Sequence, residues 1–283
     1  MLVRERAHAK INLALHVTGR RQDGYHELDS IVAFADVADV LTIAPAGAVS
    51  LSISGPFAGD LPGDGENSVT SAWTLLSEYS RQKGAPITPV NFQLEKNLPV
   101  ASGIGGGSAD AAAALRGLIR HFGLGISPDE LSELALRLGA DVPVCLLQQS
   151  SRMRGIGEII EPVSLELPSA MVLVNPLIPA PTSKVFSSLN LQPGQSFGAG
   201  IVNLHDIESW RNDLTAPAVT LVPEIAEVIG SLNFQPEIIC SRMSGSGATC
   251  FGLFESLGAA QTAAESITQK HPPWWVVATT LLQ

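Results

Sequence analysis

Long apolar runs are missing from this chain of 283 residues. No stretch approaches the roughly 20 apolar residues that a membrane span needs, so no membrane partner is expected. The opening "MLVRERAHAKINL" lacks the apolar core of a secretory signal, and a cytoplasmic setting is the expectation. Cations are scarce too: 17 Lys and Arg stand against 27 Asp and Glu, for a net charge of −10 at pH 7. A surface that binds a nucleic acid leans on clustered Lys and Arg, so no nucleic-acid partner is expected. Only three cysteines occur, and Cys145, Cys240 and Cys250 make no zinc-like spacing. Each sits in an apolar run, which predicts buried free thiols. Five of the six histidines, His8, His16, His121, His205 and His271, show no i, i+4 metal pairing and read as structural or surface groups. Internal repeats, low-complexity tracts and heptads are absent, and the oligomeric state stays open between monomer and homodimer.

What is present is a mixture of strand and helix signals. "HAKINLALHV" reads as a strand, and Asp23-Gly24 in "RRQDGYHELD" as a turn. "LDSIVAFADVADVLTIAP" reads as one or two strands and "VSLSISG" as another, followed by a Gly- and Pro-rich loop over 55–66. Asn67 caps a helix through Val69, Trp73, Leu76 and Tyr79 that stops near Gly84. "PVNFQLEKNLP" is a strand ending at Pro99, and a helix follows over 107–122. Ser127, Pro128 and Glu130 punctuate the start of the next helix, which ends near Gly139. "ADVPVCLL" leads into a short strand, and 150–162 is irregular, a candidate domain junction. "AMVLVNP" opens the second half as a strand, 190–203 is loop, and helices are expected around 204–212 and 217–232. "EIICSRMSGSGATCFGLF" reads strand, small-residue turn, strand; a helix near 257–269 and the strand "WWVVATTLL" close the chain. Without strict βαβ alternation, the class is α+β rather than a doubly wound sheet.

One segment demands a reason. Four glycines crowd into Gly103–Gly107 just before an alanine-rich helix, although glycine is the costliest residue to order. A tight turn needs two at most. A glycine bend lets backbone N–H groups close on an anion, and the helix N-terminus behind it adds unpaired donors and a positive dipole end. Ser108 adds a hydroxyl. The segment therefore reads as a phosphate cradle. It is neither of the two common ones: no lysine lies between Lys96 and Lys184 to complete a Walker loop, and Ser108 stands where a dinucleotide fingerprint needs glycine.

"LPVASGIGGGSADAAAAL" resembles the P-x-x-x-G-[LI]-G-G-G-S-[SA]-[DN]-A-A phosphate loop of the GHMP kinases, the galactokinase, homoserine kinase and mevalonate kinase superfamily. "AHAKINLALHVTGRRQDGYHELDSI", "LGADVPVCL" and "SRMSGSGATCFGLF" are similar, in order, to further signatures of the branch whose substrate carries a cytidine diphosphate group. The matches run from residue 9 to about 254, whereas 190–235 carries no matching motif. The resemblance implies a two-domain GHMP fold. An ATP-binding, ribosomal-protein-S5-domain-2-like N-terminal domain would occupy 1–160, and a substrate-binding, ferredoxin-like C-terminal domain 161–283. It implies ATP, with Mg2+ held mainly through the ATP phosphates and no protein residue named as metal ligand. The reaction implied is phosphorylation of the 2-hydroxyl of a cytidine-diphosphate-linked methylerythritol, in isoprenoid synthesis that bypasses mevalonate. Another GHMP small-molecule kinase, of homoserine or mevalonate type, and a non-catalytic nucleotide-binding module are the alternatives; "DGYH" speaks against the first.

Residue by residue, the resemblance assigns the loop Pro99, Val100, Ala101, Ser102, Gly103, Ile104, Gly105, Gly106, Gly107, Ser108 and Ala109 to the nucleotide. Some members have Gly-Gly where Ala101-Ser102 stand, which predicts a less adaptable early bend. Asp141, read alone a turn aspartate after a helix, becomes the general base. Lys10, read alone an edge-strand lysine, becomes its electrostatic partner. Asn12 shares a strand face with Lys10, and either meets the substrate hydroxyl or serves as a buried structural amide. Tyr25 and His26 form the cytidine pocket, by stacking and by hydrogen bonding to the base edge. Thr182 and Phe186 of "PTSKVF" lie near the cytidine end. Asp110 reads as a favourable first-turn carboxylate.

Overall fold

Alternating burial begins the first strand, β1 (Val3–Arg20), and then gives way to an almost unbroken buried run. The second strand, β2 (His26–Pro45), has a buried middle of the same kind, so both are covered on their two faces. The expected one or two strands after the Asp23-Gly24 turn are therefore a single strand of 20 residues. The computed structural model describes residues 1–61 and 67–282. The expected loop at 55–66 thus lies partly outside the described residues, and its described part holds a 3₁₀ turn at Ala58–Asp60.

Two compact units are built from interleaved segments. One comprises Met1–Ala9, Val37–Val100 and Gly105–Leu147; the other comprises Lys10–Asp36, Ala101–Ile104 and Gln148–Gln283.

In the first unit, β3 (Ser50–Ser54) runs parallel to β4 (Val90–Glu95), and β4 pairs antiparallel with β2 from Val40↔Glu95 to Pro45↔Val90. Among its described residues it also holds the helices α1 (Ser68–Gln82), α2 (Gly106–Phe122), α3 (Pro128–Leu138) and α4 (Val142–Leu147). Their starts follow the sequence signals. The Asn67 side chain accepts from the N–H of Val69, and Ser127 and Glu130 close a reciprocal capping box with Pro128 in the first turn. Two expectations give way. Strand β4 stops at Glu95 rather than Pro99, because the N–H groups of Asn97 and Leu98 turn to the Asp39 carboxylate at 2.6 and 2.9 Å. Residues 142–147 within "ADVPVCLL" form helix α4, and a strand begins only at Ser151. Pro143 is tolerated there because the first turn of a helix needs no donor. The carbonyl of Cys145 is engaged by Arg116 of α2 at 2.9 Å.

In the second unit, residues 151–162 form a hairpin where an irregular stretch was expected. Strand β5 (Ser151–Gly155) pairs with β6 (Ile159–Pro162) and, on its other side, with β2 from Leu28↔Gly155 to Val32↔Ser151. A four-stranded antiparallel sheet follows, in the order β10-β7-β9-β8. Its strands are β7 (Ala170–Asn175), β8 (Ile238–Met243), β9 (Cys250–Phe254) and β10 (Trp275–Thr280). With helices between β7 and β8, and α8 (Leu257–Lys270) between β9 and β10, the order is the split βαβ of ferredoxin-like domains. Val172, Val174, Ile225, Val228, Phe254 and Ile267 belong to its buried core.

The region from 182 to 233 departs most from expectation. A short helix, α5 (Thr182–Ser187), was not anticipated. The helix expected over 204–212 is only a 3₁₀ turn at Ile207–Ser209, because the chain beyond it is drawn out along β1. Leu15 N–H donates to Arg211 O at 2.8 Å and Asp213 N–H to Leu15 O at 2.9 Å. The helix expected over 217–232 breaks at Val222-Pro223 into α6 (Thr215–Leu221) and α7 (Glu224–Asn233), as proline requires. Residues 190–203 are irregular as expected, yet they too lie on β1: Arg20 N–H donates to Gln195 O and Phe197 N–H to Thr18 O, at 2.8 and 2.9 Å. Asp29 anchors the same segment. It accepts from Ile201 N–H at 2.7 Å and forms a two-pronged pair with Arg152 at 2.8 and 2.6 Å. Burial alone would raise the Asp29 pKa, but the bonds from Arg152 and Ile201 outweigh it and hold the carboxyl below its ordinary value. Of the three thiols, Cys145 and Cys250 are buried as expected, while Cys240 on edge strand β8 is only half-buried.

Candidate active site

The glycine bend has the backbone a cradle needs. Gly103 has φ +77° and Gly105 φ +68°, and Gly105 stands in the left-handed region as the residue before α2. Ala101 also has φ +50°. An L-residue there bears strain that glycine would not, which is the physical content of the Ala101-Ser102 departure. At Gly103 the reason for glycine is close approach. A Cβ there would stand 2.6 Å from the Ser244 carbonyl oxygen and 2.8 Å from the Gly247 nitrogen. Gly107 is the opposite case: it is exposed, and a Cβ would meet nothing within 4 Å. One end of the bend is thus sealed against the turn at 244–247 and the other is open. The first N–H groups of any α-helix lack partners within the helix, and here they emerge at the open end. Ser108 is half-buried in that first turn and Ala109 is buried, its N–H returning to Gly105 O at 2.8 Å.

In the second unit, Lys10 and the bend are joined directly. Lys10 N–H donates to Ile104 O at 2.9 Å, and Ser102 O accepts from Thr249 N–H at 3.1 Å. The Lys10 side chain is 4% exposed, and its Nζ donates to Asn12 Oδ1 at 2.9 Å. Asn12 passes the interaction on: its Nδ2 donates to Ser30 Oγ at 2.8 Å, and Ser30 Oγ donates to Ala14 O at 2.6 Å. Both functions of the Asn12 amide therefore serve its neighbours, and what it orients is Lys10. Ser244 is the hub of this group. Its Oγ accepts from Asn12 N–H at 3.0 Å and donates to Gly103 O at 3.1 Å. Buried Asn212 fixes the Ser244 turn in turn, donating to Met243 O and Gly245 O at 2.8 Å each and accepting from Leu214 N–H at 2.9 Å.

The predicted cytidine residues also lie in the second unit. The rings of His26 and Phe186 stand with centroids 5.0 Å apart, tilted by 36°. Thr182 opens α5 and its Oγ1 lies 2.8 Å from Ser246 Oγ, in the small-residue turn that closes on Gly103. Tyr25 is 61% exposed, a face open to a flat partner. The Nε2 atom of His26 is buried without a hydrogen-bond partner, and burial together with nearby Arg20 lowers its pKa, so the neutral ring is favoured.

The first unit holds Asp141. Gly139 ends α3, and Asp141 stands half-exposed before α4, its carbonyl accepting from Cys145 N–H at 3.2 Å. The same unit contains a buried ionic cluster that sequence reasoning did not assemble. Lys96 Nζ donates to Asp39 Oδ2 at 2.5 Å and to Asp110 Oδ2 at 2.8 Å. A signal for it existed in the sequence: Asp39 stands between apolar neighbours in "VADVL", and a charge buried there is tolerated only when paired. Its partners could not be read from spacing. Asn212, in a stretch with no motif, gave no signal at all.

The family model for the GHMP kinases N terminal domain matches residues 67–149, and that for the GHMP kinases C terminal matches 191–273. The chain is 52% identical to a 4-diphosphocytidyl-2-C-methyl-D-erythritol kinase of Rhizobium etli, over 98% of this chain and 94% of that protein. A crystal structure of 4-(cytidine 5'-diphospho)-2C-methyl-D-erythritol kinase superposes with TM-score 0.82 at 34% identity, covering 99% of this chain and 100% of that one. A homoserine kinase from Cytophaga hutchinsonii shares the fold, with TM-score 0.71 at 18% identity over 99% of this chain and 95% of its own.

Proposed function

This chain belongs to the GHMP kinase family, and from that premise we propose that it transfers the γ-phosphoryl group of ATP to the 2-hydroxyl of 4-diphosphocytidyl-2-C-methyl-D-erythritol, yielding the 2-phosphate and ADP. The observation that carries the reading is the glycine bend, sealed at Gly103 and open at Gly107, with the unpaired N–H groups of α2 emerging beside it. The relative at 52% identity supports the choice of acceptor. In this reading residues 1–160 chiefly serve the nucleotide and 161–283 the acceptor, in a cytoplasmic step of non-mevalonate isoprenoid synthesis.

Phosphoryl transfer asks a protein mainly for positioning and charge stabilisation. The N–H groups of residues 105–108 and the Ser108 hydroxyl hold phosphate oxygens. Asp141 takes the proton of the attacking hydroxyl as its oxygen bonds to phosphorus and the bond to the ADP oxygen breaks. Lys10, oriented by Asn12, offsets developing negative charge. Tyr25 stacks on cytosine and His26, backed by Phe186, reads its edge, with Thr182 at the same end. Among the described residues no group of three or more His, Cys, Asp or Glu side chains stands together as a metal site. In this reading a magnesium ion would be held mainly through the ATP phosphates, where it would neutralise charge on the transferred group.

Purified protein given ATP, magnesium and the cytidine alcohol should release ADP, followed by a coupled assay. Asp141→Asn should lower kcat by roughly 10²–10⁴-fold while affinity for a non-hydrolysable ATP analogue stays within a few-fold. Turnover of homoserine or mevalonate instead would overturn the acceptor, and ATP binding without transfer would leave a nucleotide-binding module.

A further inference from the structure

The ends of the glycine bend are tied together by charges that touch neither phosphate nor acceptor in the reading above. On the entry side, Asp39 Oδ1 accepts from the N–H groups of Asn97 and Leu98, the last residues before Pro99. On the exit side, Asp110 lies within the first turns of α2. Lys96 spans the two, with Nζ on Asp39 Oδ2 at 2.5 Å and on Asp110 Oδ2 at 2.8 Å. A Cβ built on Gly106, the first residue of α2, would stand 3.6 Å from Lys96 Nζ and 3.9 Å from Asp39 Oδ2, so the cluster lies directly beneath the exit turn. All three side chains are almost fully buried: Lys96 and Asp110 are 3% exposed and Asp39 0%.

We infer that Lys96, Asp39 and Asp110 are positioning residues for the nucleotide: together they set the separation of the two stems of the phosphate bend and so the aim of its N–H groups. The inference rests on the assignment of that bend to ATP. A buried ion pair is weak evidence for stability, because desolvation can cancel its attraction, and geometric specificity is the better-attested use of such a group. The cluster sets two carboxyl groups against one ammonium, which a purely stabilising pair would avoid. Asp110 bears the consequence. Its Oδ1 is buried without a hydrogen-bond partner, and burial, eased by Lys96 and reinforced by Asp39, pushes its pKa up to about 7. Lys96 is also shifted upward: burial alone would lower its pKa, but the two carboxylates raise it and keep it charged. Retaining an under-satisfied acid at Asp110 makes physical sense if the bridge to Lys96 is needed for alignment.

Asp110→Ala cuts the exit-side link with a good helix former and removes a costly buried acid, so the variant should fold. Its KM for ATP should rise about tenfold, and its affinity for a non-hydrolysable ATP analogue, measured by calorimetry, should fall in parallel. The KM for the cytidine alcohol should stay within twofold. Asp110→Asn, which keeps an acceptor for Lys96 and adds a donor at the orphaned position, should restore ATP affinity to within threefold of the parent. Asp39→Asn, whose amide cannot accept all three of the carboxylate's bonds, should repeat the selective loss of ATP affinity. An unchanged ATP affinity in Asp110→Ala, an equal rise in both KM values, or failure of Asp110→Asn to rescue would each overturn the inference. Calorimetry separates this from the proposed reaction: a parent that binds ATP without phosphorylating the alcohol removes the acceptor assignment and leaves the positioning test intact. A parent that does not bind ATP removes both.

Discussion

At His16 the hydrogen-bond partners decide the tautomer. The Arg211 N–H can only donate, so Nε2, 3.3 Å away, accepts, and the proton sits on Nδ1, 3.2 Å from the Ala199 carbonyl. Protonating Nε2 would break the first bond and bury a cation near Arg211. Burial, then Arg211, accordingly lowers the His16 pKa. The folded protein therefore holds this ring neutral at a pH where the unfolded chain, near its ordinary 6.5, begins to take up protons. His16 contributes stability that is present above pH 6.5 and lost as the pH falls below it toward the folded value. Melting temperature should thus fall between pH 7 and pH 5, and His16→Gln should flatten part of that slope; an unchanged slope would remove His16 as a contributor. From the sequence His16 was legible only as structural or surface, because its partners lie 183 and 195 residues away.

Helix α2 shows where propensity and packing disagree. Gly117 sits in its interior, and by propensity alone Gly117→Ala should stabilise the helix by about 1 kcal/mol. In the folded protein a Cβ there would stand 2.6 Å from Ile43 Cδ1 and 3.1 Å from Glu5 Cγ. Ile43 is fully buried, and Glu5 is held by Arg116 and Arg120, so neither yields easily. Overpacking of this kind costs roughly 1–3 kcal/mol. Gly117→Ala should therefore lower the urea midpoint, and a raised midpoint would show that Ile43 repacks freely. The ends of α1, α2 and α3 were legible in advance because Asn67, the glycine bend, and Ser127 with Glu130 act within a few residues. Helix α4 was not, because a short apolar run is compatible with strand or helix and its neighbours decide.

Across the whole molecule, the proposed reaction requires that both the nucleotide and the cytidine alcohol bind the native state. A ligand at 100 times its Kd stabilises by about 2.7 kcal/mol, which for a chain of this size corresponds to a rise in Tm of roughly 4–5 °C. A non-hydrolysable ATP analogue and the cytidine alcohol should each produce such a rise; a shift with the nucleotide alone would point to a nucleotide-binding module. Caps, the glycine bend, the α+β class and the family were determined by the sequence by itself, since each is a short-range pattern carried by neighbouring residues. Only the tertiary structure decided that 194–198 and 211–213 lie along β1, that Ser244 joins Asn12 to Gly103, and that Lys96 draws Asp39 and Asp110 together. These contacts join positions far apart in the chain, and a buried charge or carbonyl accepts whichever partner the fold delivers.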